Sequence, residues 1–359
     1  VFECDGSLKK EDCDVEALVF LRQFLYCAKK TELPCSTENV MQEIADFVKV
    51  DADLPLPSSV WAENRVEAAQ MNDTYRGFSS ATCPFIQRLV DAGMDLSLAK
   101  ILAKNLDSVS GSIAGALGSY DPEEWRFKHG PGAISESPGS VNKYHWTNWS
   151  SRLEERYPYA DYGFHSYSSW VASLEEGREF SQEKQPTRDV TSQEGVSRLV
   201  AVPKTFLKPR LIAAEPSENQ WCQQNLWHYF SERSKGSWLN TFVRFGDQKS
   251  LNQTLCREGS VTGEIITVDL SSASDRVSCD VVGQVFRRNP KLLCHLQAVR
   301  TRFVRQTLNK DLPEVIELRK FSTMGSTCTF PVESMVFLAI TLASCLTAEG
   351  KVCNLDGLA

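Results

Sequence analysis

The chain is poor in the residues that build patterned soft-metal sites. It has 5 histidines among 359 residues, and its 12 cysteines, scattered from Cys4 to Cys353, include no Cys-x-x-Cys pair. That argues against a zinc site, and the cysteines are expected to be buried, reduced thiols of a cytosolic chain. Long hydrophobic runs are lacking too: the longest, Met335 to Leu346, is short of a bilayer's width and carries Thr341 and Ser344, so no membrane span is expected. No secretory signal opens the chain, which begins on Val1 rather than Met and is expected to be trimmed at its start. Without such a signal the Asn-x-Ser/Thr triplets at Asn72, Asn148 and Asn252 read as chance. A positive charge excess is also missing, since the formal net is -7, and this argues against a uniformly basic nucleic-acid binder.

What is present is an ordinary globular composition, 42% hydrophobic and 24% charged, in a chain long enough for two or more packed subdomains. The charge is unevenly distributed. Residues 1–100 carry 10 Lys/Arg against 17 Asp/Glu, whereas residues 281–320 carry 9 against 3. That basic block includes Arg300, Arg302 and Arg305, read here equally as a groove for a nucleic-acid backbone or as a solvated helix face.

The most informative stretch is Ile265 to Ser278. Ile265, Ile266, Thr267 and Val268 are β-branched, and alternation puts Ile266, Val268 and Leu270 on one face, with Asp269 ending the other. A strand is therefore expected, with its apolar face in the core. Small residues follow, Ser271 to Ser274, leaving room for a large charged ligand beside Asp269. Asp275 stands where a helix should begin, an N-cap in the plain reading, and Val277, Val281 and Val285 continue at four-residue spacing. A carboxylate at a strand end beside open space suits magnesium held jointly with substrate phosphates.

The first 110 residues read as helical, with an apolar stripe at Val40, Ile44, Phe47 and Val48 and helical composition over 12–30 and 84–107. No catalytic constellation stands out there. Lys128-His129-Gly130-Pro131-Gly132 predicts a tight turn whose cations, His129 among them, could face phosphate. The aromatics between Tyr144 and Trp170 read as core rather than as base-stacking platforms, and Glu175 to Arg188 as a charged connector. Two short strands, Arg198–Val202 and Arg210–Ala214, predict a hairpin presenting Lys204, Lys208 and Arg210 as a triphosphate clamp. After it, Ser217 with Gln220 predicts a capping box for a helix whose Cys222, Leu226, Tyr229 and Phe230 are buried. Farther on, a strand over Val315–Phe321 leads to a Ser/Thr-rich loop at Gly325, able to approach a phosphate or sugar, and to a helix carrying Pro331 and Glu333. Glu333 is explained there by the helix dipole.

Taken in order, Val202-Pro-Lys204, Arg210-x-Ile212, Glu215-Pro216 with Asn219 and Gln223, Val268 to Asp275, Met324-Gly325, Thr329-Phe330 and Glu333-Ser334 resemble the catalytic subunit of RNA bacteriophage replicases of the levivirus, Q-beta type. The turn Gly130-Pro131-Gly132-Ala133 looks like that family too. The resemblance covers about residues 196–340. It implies an α+β right-hand polymerase fold: a helical N-terminal region over 1–110, helix-rich fingers over 111–262 including the basic hairpin 198–214, and a partial palm with an antiparallel sheet over 263–359, the thumb absent. It implies an RNA-directed RNA polymerase with Asp269 and Asp275 catalytic, Asp269 and the Leu270 carbonyl on two magnesium ions (manganese being the alternative), and Asp275 reading the ribose 2′-hydroxyl. By the same resemblance Lys204, Lys208, Arg210, Gly325, Ser326 and Thr327 bind the nucleotide, although the family's Gly-Asn-Gly is Gly325-Ser326-Thr327 here. RNA contacts are expected at Arg300, Arg302, Arg305 and His129. Implied partners are template and product RNA, nucleoside triphosphates, host elongation factors Tu and Ts and a ribosomal RNA-binding protein, in the cytoplasm of an infected bacterium. The family's Gly-Asp-Asp hairpin is not found before Ala359, so the chain is expected to be a fragment unable to elongate RNA. The rival reading is an inert RNA-binding accessory protein; a reverse transcriptase is a poorer third, because Asp275 and the hydroxyl-rich loop suit ribonucleotides.

Overall fold

The structure is a computed structural model that describes residues 2–3, 14–29, 34–136, 143–144, 146, 148–172, 193–205 and 208–351. The expected connector from Glu175 to Arg188 lies outside the described residues. The architecture is helix-rich with one small sheet, a mixed α+β arrangement.

Helices α1 (Val15–Lys29), α2 (Thr37–Ala52), α3 (Ala68–Thr74) and α4 (Phe85–Asp91) precede the long α5 (Leu96–Leu117). The side chain of Asp95 accepts from the backbone N–H groups of Ser97 and Leu98 to start α5, and Gly118, at φ 69°, ends it. The helical composition over 84–107 thus resolves into two helices. The buried face of α5 carries small residues, Ala99, Ala103 and Ala114, beside Leu106 and Ile113. Among the helices that share its core are α8 (Ser217–Lys235), α10 (Cys279–Phe286), α11 (Pro290–Val299) and α12 (Thr329–Ala348), whereas the short α6 (Ser151–Arg156) and α7 (Tyr159–Tyr162) support the aromatic side of that core. Helix α12 is long and apolar enough, by length and composition, to cross a membrane, a test the shorter run Met335–Leu346 did not meet; here it packs against α5. α9 (Gln248–Thr262) has no buried residue.

Helix α8 is buried nearly all round although it is rich in amides. Each amide has a use: Asn225 donates to the carbonyls of Pro122 and Trp125 at 2.9 and 2.8 Å, and Gln223 donates to Glu215 and to the Val299 carbonyl at 2.9 and 3.0 Å. The expected stripe Cys222, Leu226, Tyr229 and Phe230 is fully buried. The expected capping box is absent, because the cap is Pro216, the Ser217 hydroxyl donates to Glu136 at 2.8 Å, and Gln220 reaches His129.

The sheet runs β2-β1-β3-β4, built from β1 (Val196–Val202), β2 (Arg210–Ala214), β3 (Phe303–Arg305) and β4 (Val315–Glu317). It is mixed rather than antiparallel throughout: β1 pairs antiparallel with β2, Val200 facing Ile212, but parallel with β3, Ser197 facing Val304. Ile44 and Phe47 of α2 pack on it with Leu199, Ala213, Val304 and Leu318, so the N-terminal stripe covers the sheet.

The segment around Asp269 departs from expectation. Residues 264–270 form no strand, and Ile266, Val268 and Leu270 are 81%, 78% and 53% exposed rather than core. β-branched residues favour an extended backbone, but a strand also needs a ladder partner, and no described residue pairs with this one. Asp275 is not a helix cap either. It sits in a short 3-10 turn, Ser274–Arg276, and the N-cap of α10 is Ser278, whose hydroxyl accepts from the Val281 N–H at 3.3 Å.

Candidate functional site

The β1–β2 hairpin closes on itself through Thr205, whose hydroxyl accepts from the Lys208 N–H at 2.9 Å while its own N–H donates to the Lys208 carbonyl; residues 206 and 207 lie outside the described residues. This turn leaves Lys204, Lys208 and Arg210 exposed. Lys208 pairs with Glu43 of α2 at 3.2 Å, whereas Lys204 and Arg210 have no side-chain partner among the described residues. Beside the hairpin opens a cleft of about 950 Å³. Its lining brings the three cations onto one surface with Asp269, Leu270 and Asp275, residues some sixty positions farther along the chain.

The two aspartates differ in their surroundings. Asp269 is exposed and without a partner among the described residues. Asp275 accepts on Oδ1 from the ammonium of Lys320 at 3.0 Å, and that lysine is completely buried. Burial pulls the Lys320 pKa down, and the charges of Asp275 and Asp51 oppose that pull. Glu333, at the start of α12, also lines the cleft, with one carboxylate oxygen buried and unbonded. Burial, and then the charge of Asp275, push its pKa up to about 7. On the side of Asp269 the lining therefore offers one open carboxylate, one pinned carboxylate and one carboxyl that readily keeps its proton, while Glu43, Asp46 and Asp53 line the side of α2.

The Gly325 loop is held against this wall by backbone. Gly325 has φ 134°, and a Cβ placed on it would lie 1.9 Å from the Ala213 carbonyl oxygen of β2, so glycine is required by close approach as well as by conformation. The Ala213 N–H donates to the Met324 carbonyl at 2.8 Å. The loop's expected nucleotide-binding side chains point elsewhere: Thr327 is tied to Gln223 and Gln224 of α8, and Ser326 accepts from the Cys328 N–H. Thr323 and Met324 line the cleft, whereas Gly325, Ser326 and Thr327 do not.

The expected RNA contacts fare worse. Arg300 is buried and donates to the carbonyls of Leu318, Lys320 and Phe321 at 2.7, 2.8 and 3.0 Å, so it clamps backbone instead of facing a ligand. Arg302 is bound to Glu194 and Glu317 at 3.0 and 2.6 Å. His129 is buried among Tyr144, Trp146 and Trp221 with Nδ1 3.0 Å from Gln220, and burial lowers its pKa. Arg305 alone of the four is exposed, and it pairs with Glu314 at 3.3 Å. The physical reason is common to the two arginines, since carbonyls and carboxylates of the fold need donors and these side chains supply them, whereas His129 is enclosed by aromatic rings.

Sequence reasoning missed Lys320, Glu43 and Asp51. Lys320 carried a usable signal, since it continues the alternation of Ile316 and Leu318 and so falls on the inward face. The two acids carried none, because their roles arise only when α2 docks. Among the described residues no group of three or more His, Cys, Asp or Glu is placed to hold a metal ion. Nine described cysteines are unpaired; Cys222, Cys279, Cys294 and Cys328 are buried as expected, but Cys27, Cys256 and Cys345 are exposed.

Comparison with known proteins gives the context for this cleft. The family described as RNA replicase, beta-chain, matches residues 176–356, a stretch that contains the hairpin, Asp269, Asp275, Lys320 and Glu333. The RNA-directed RNA polymerase beta chain of Escherichia phage MS2 is 35% identical over 143 residues, 40% of this chain and 24% of that protein. The corresponding chain of Enterobacteria phage fr is 33% identical over 150 residues, 42% of this chain and 25% of its own length. The beta subunit of Escherichia virus Qbeta is 31% identical over 152 residues, 42% of this chain and 23% of that protein. The chain thus spans about a quarter of the length of the curated relatives it matches. With the family match taking in half of the chain and every residue of the cleft from Leu199 onward, this chain belongs to the RNA replicase beta-chain family.

Proposed function

We propose that this chain forms the nucleotide-entry part of an RNA-directed RNA polymerase of an RNA phage, in which a nucleoside triphosphate is transferred to an RNA 3′-hydroxyl. The observation that carries the reading is the single cleft shared by Lys204, Lys208, Arg210, Asp269 and Asp275. Lys204 and Arg210, exposed and without a side-chain partner among the described residues, hold the triphosphate, and Lys208 joins them on release from Glu43. Asp269 and the Leu270 carbonyl are the residues that would hold magnesium. One open carboxylate with a carbonyl fits an ion that arrives with the phosphates and keeps its waters, rather than one caged by protein alone. Magnesium held there would supply positive charge against the charge that develops on the transferring phosphoryl group. Asp275 accepts from the ribose 2′-hydroxyl, which selects ribonucleotides. The implied setting is replication of a phage RNA in the bacterial cytoplasm, with template and product RNA, and host factors Tu and Ts and a ribosomal RNA-binding protein as partners.

The test is titration of the chain with magnesium-loaded GTP, followed by fluorescence or calorimetry. Micromolar to millimolar binding that weakens in Lys204→Ala and Arg210→Ala is expected. Absence of nucleotide binding, together with RNA binding that depends on salt but not on metal, would instead identify an RNA-binding accessory protein.

A further inference from the structure

We infer that Lys320 is a positioning residue for ribose selection, its buried ammonium fixing one oxygen of Asp275 so that the other is presented to the sugar in the cleft. The inference rests on the nucleotide reading above. Three elements converge on this lysine or its backbone. Asp51, near the end of α2, accepts from the backbone N–H groups of Arg319 and Lys320 at 2.9 Å each. Arg300 holds the Lys320 carbonyl at 2.8 Å from the other side. The Phe321 N–H donates to the Val277 carbonyl at 2.8 Å, tying the segment to the turn that carries Asp275. The ring of Phe47 lies under the ammonium, 3.5 Å from its centroid.

A fully buried ammonium is costly unless it is paired and hydrogen-bonded. Of the two carboxylates near it, Asp275 lies at 3.0 Å and Asp51 at 3.8 Å, so Asp275 takes the hydrogen bond. The Asp275 side chain is 25% exposed and lines the cleft, and its Oδ2 has no partner among the described residues. A carboxylate pinned at one oxygen cannot rotate freely, so the remaining oxygen offers a hydroxyl one fixed acceptor. That is the condition for telling a ribose from a deoxyribose, because a site built for a hydroxyl is left unpaired by the analogue that lacks it. A purely structural lysine would need no carboxylate that opens onto the cleft.

The experiment compares binding of magnesium-loaded GTP, 2′-deoxy-GTP and inorganic triphosphate to the full chain and its variants. The wild type should prefer GTP over 2′-deoxy-GTP by about tenfold or more, the loss expected for one unpaired hydrogen bond to a charged group. Lys320→Gln should reduce that preference to about threefold or less, as Asp275→Asn does, and leave the affinity for inorganic triphosphate within about twofold. Full preference in a folded Lys320→Gln, with preference lost in Asp275→Asn, overturns the role of Lys320 and leaves the nucleotide reading standing. Lack of GTP binding by the wild type overturns both. Should Lys320→Gln fail to fold, Phe47→Leu decides: it keeps the hydrogen bond but removes the ring face, and a two- to threefold fall in preference is expected. An unchanged preference in Phe47→Leu overturns the proposal.

Discussion

Two basic stretches of this chain look alike on paper and face opposite ways in the structure. The hairpin residues Lys204, Lys208 and Arg210 are exposed beside the cleft, two of them without a side-chain partner among the described residues. In the richer basic block, Arg300 and Lys320 are buried and Arg302 is held by two glutamates. The hairpin cations therefore face a ligand's path, whereas Arg300, Arg302 and Lys320 do not. Charge count along a sequence measures supply; orientation decides whether a donor serves the fold or a partner. In the hairpin, Thr205 and Lys208 bond to each other and the flanking cations face outward. In the block, an arginine facing three carbonyls and a lysine on an inward register are drawn in.

The contrast can be broken most sharply at Arg300. Arg300→Ala leaves three buried carbonyls without donors and should lower unfolding free energy by about 3–5 kcal/mol in urea titration. A loss below 1 kcal/mol would mean that the block is not structural. Gly325→Ala comes next. Its added methyl meets the Ala213 carbonyl in a left-handed backbone conformation, so a loss of about 2–3 kcal/mol is expected, together with weaker nucleotide binding as the loop pulls away from β2.

A third prediction concerns pH. Burial raises Glu218 to about 8, far above the ordinary glutamate range near 4.5, so between these values the folded chain keeps a proton that the unfolded chain has lost. Stability should fall as pH rises through that window. Burial lowers His295 to about 4, which has the opposite effect, but only below its ordinary value of 6.5. Between pH 6.5 and 8 the glutamate acts without that opposition, and a decline of about 1–2 kcal/mol is expected. Glu218→Gln should flatten the decline in thermal melts at the two pH values; an equal slope in the variant would reject the assignment. The smallest effect on stability belongs to the hairpin: Arg210→Ala should stay within about 0.5 kcal/mol of wild type while GTP binding weakens about tenfold.

Local pattern made much of this legible. The α2 stripe, the hairpin strands and the buried face of α8 all follow periodicities that need no knowledge of the rest of the chain. Asp269, Asp275 and the hairpin cations could be assembled from motif order, and the structure brings them to one cleft. The failures share a cause. The stretch from Ile265 to Leu270 has strand propensity without a ladder, and pairing is a long-range property that propensity does not carry. Helix α2 gave no hint that Glu43 would line the cleft or that Asp51 would hold the Lys320 backbone, since only docking on the sheet puts them there. Arg300 and His129 were judged by their charge, whereas the carbonyls and rings that surround them come from distant segments.

Strand β2 begins with Arg210 and, three residues on, presents Ala213 to the Met324–Gly325 backbone. Three strand residues span about 10 Å, so the phosphate-side cation and the loop beside Glu333 are kept apart by a spacer of fixed length. An inserted or deleted residue between them would shift that spacing by about 3 Å and turn Arg210 to the opposite face of the sheet. A change in the length of this strand is therefore expected to disturb the cleft more than a substitution within it, and an insertion is better accommodated in the turn before Arg210.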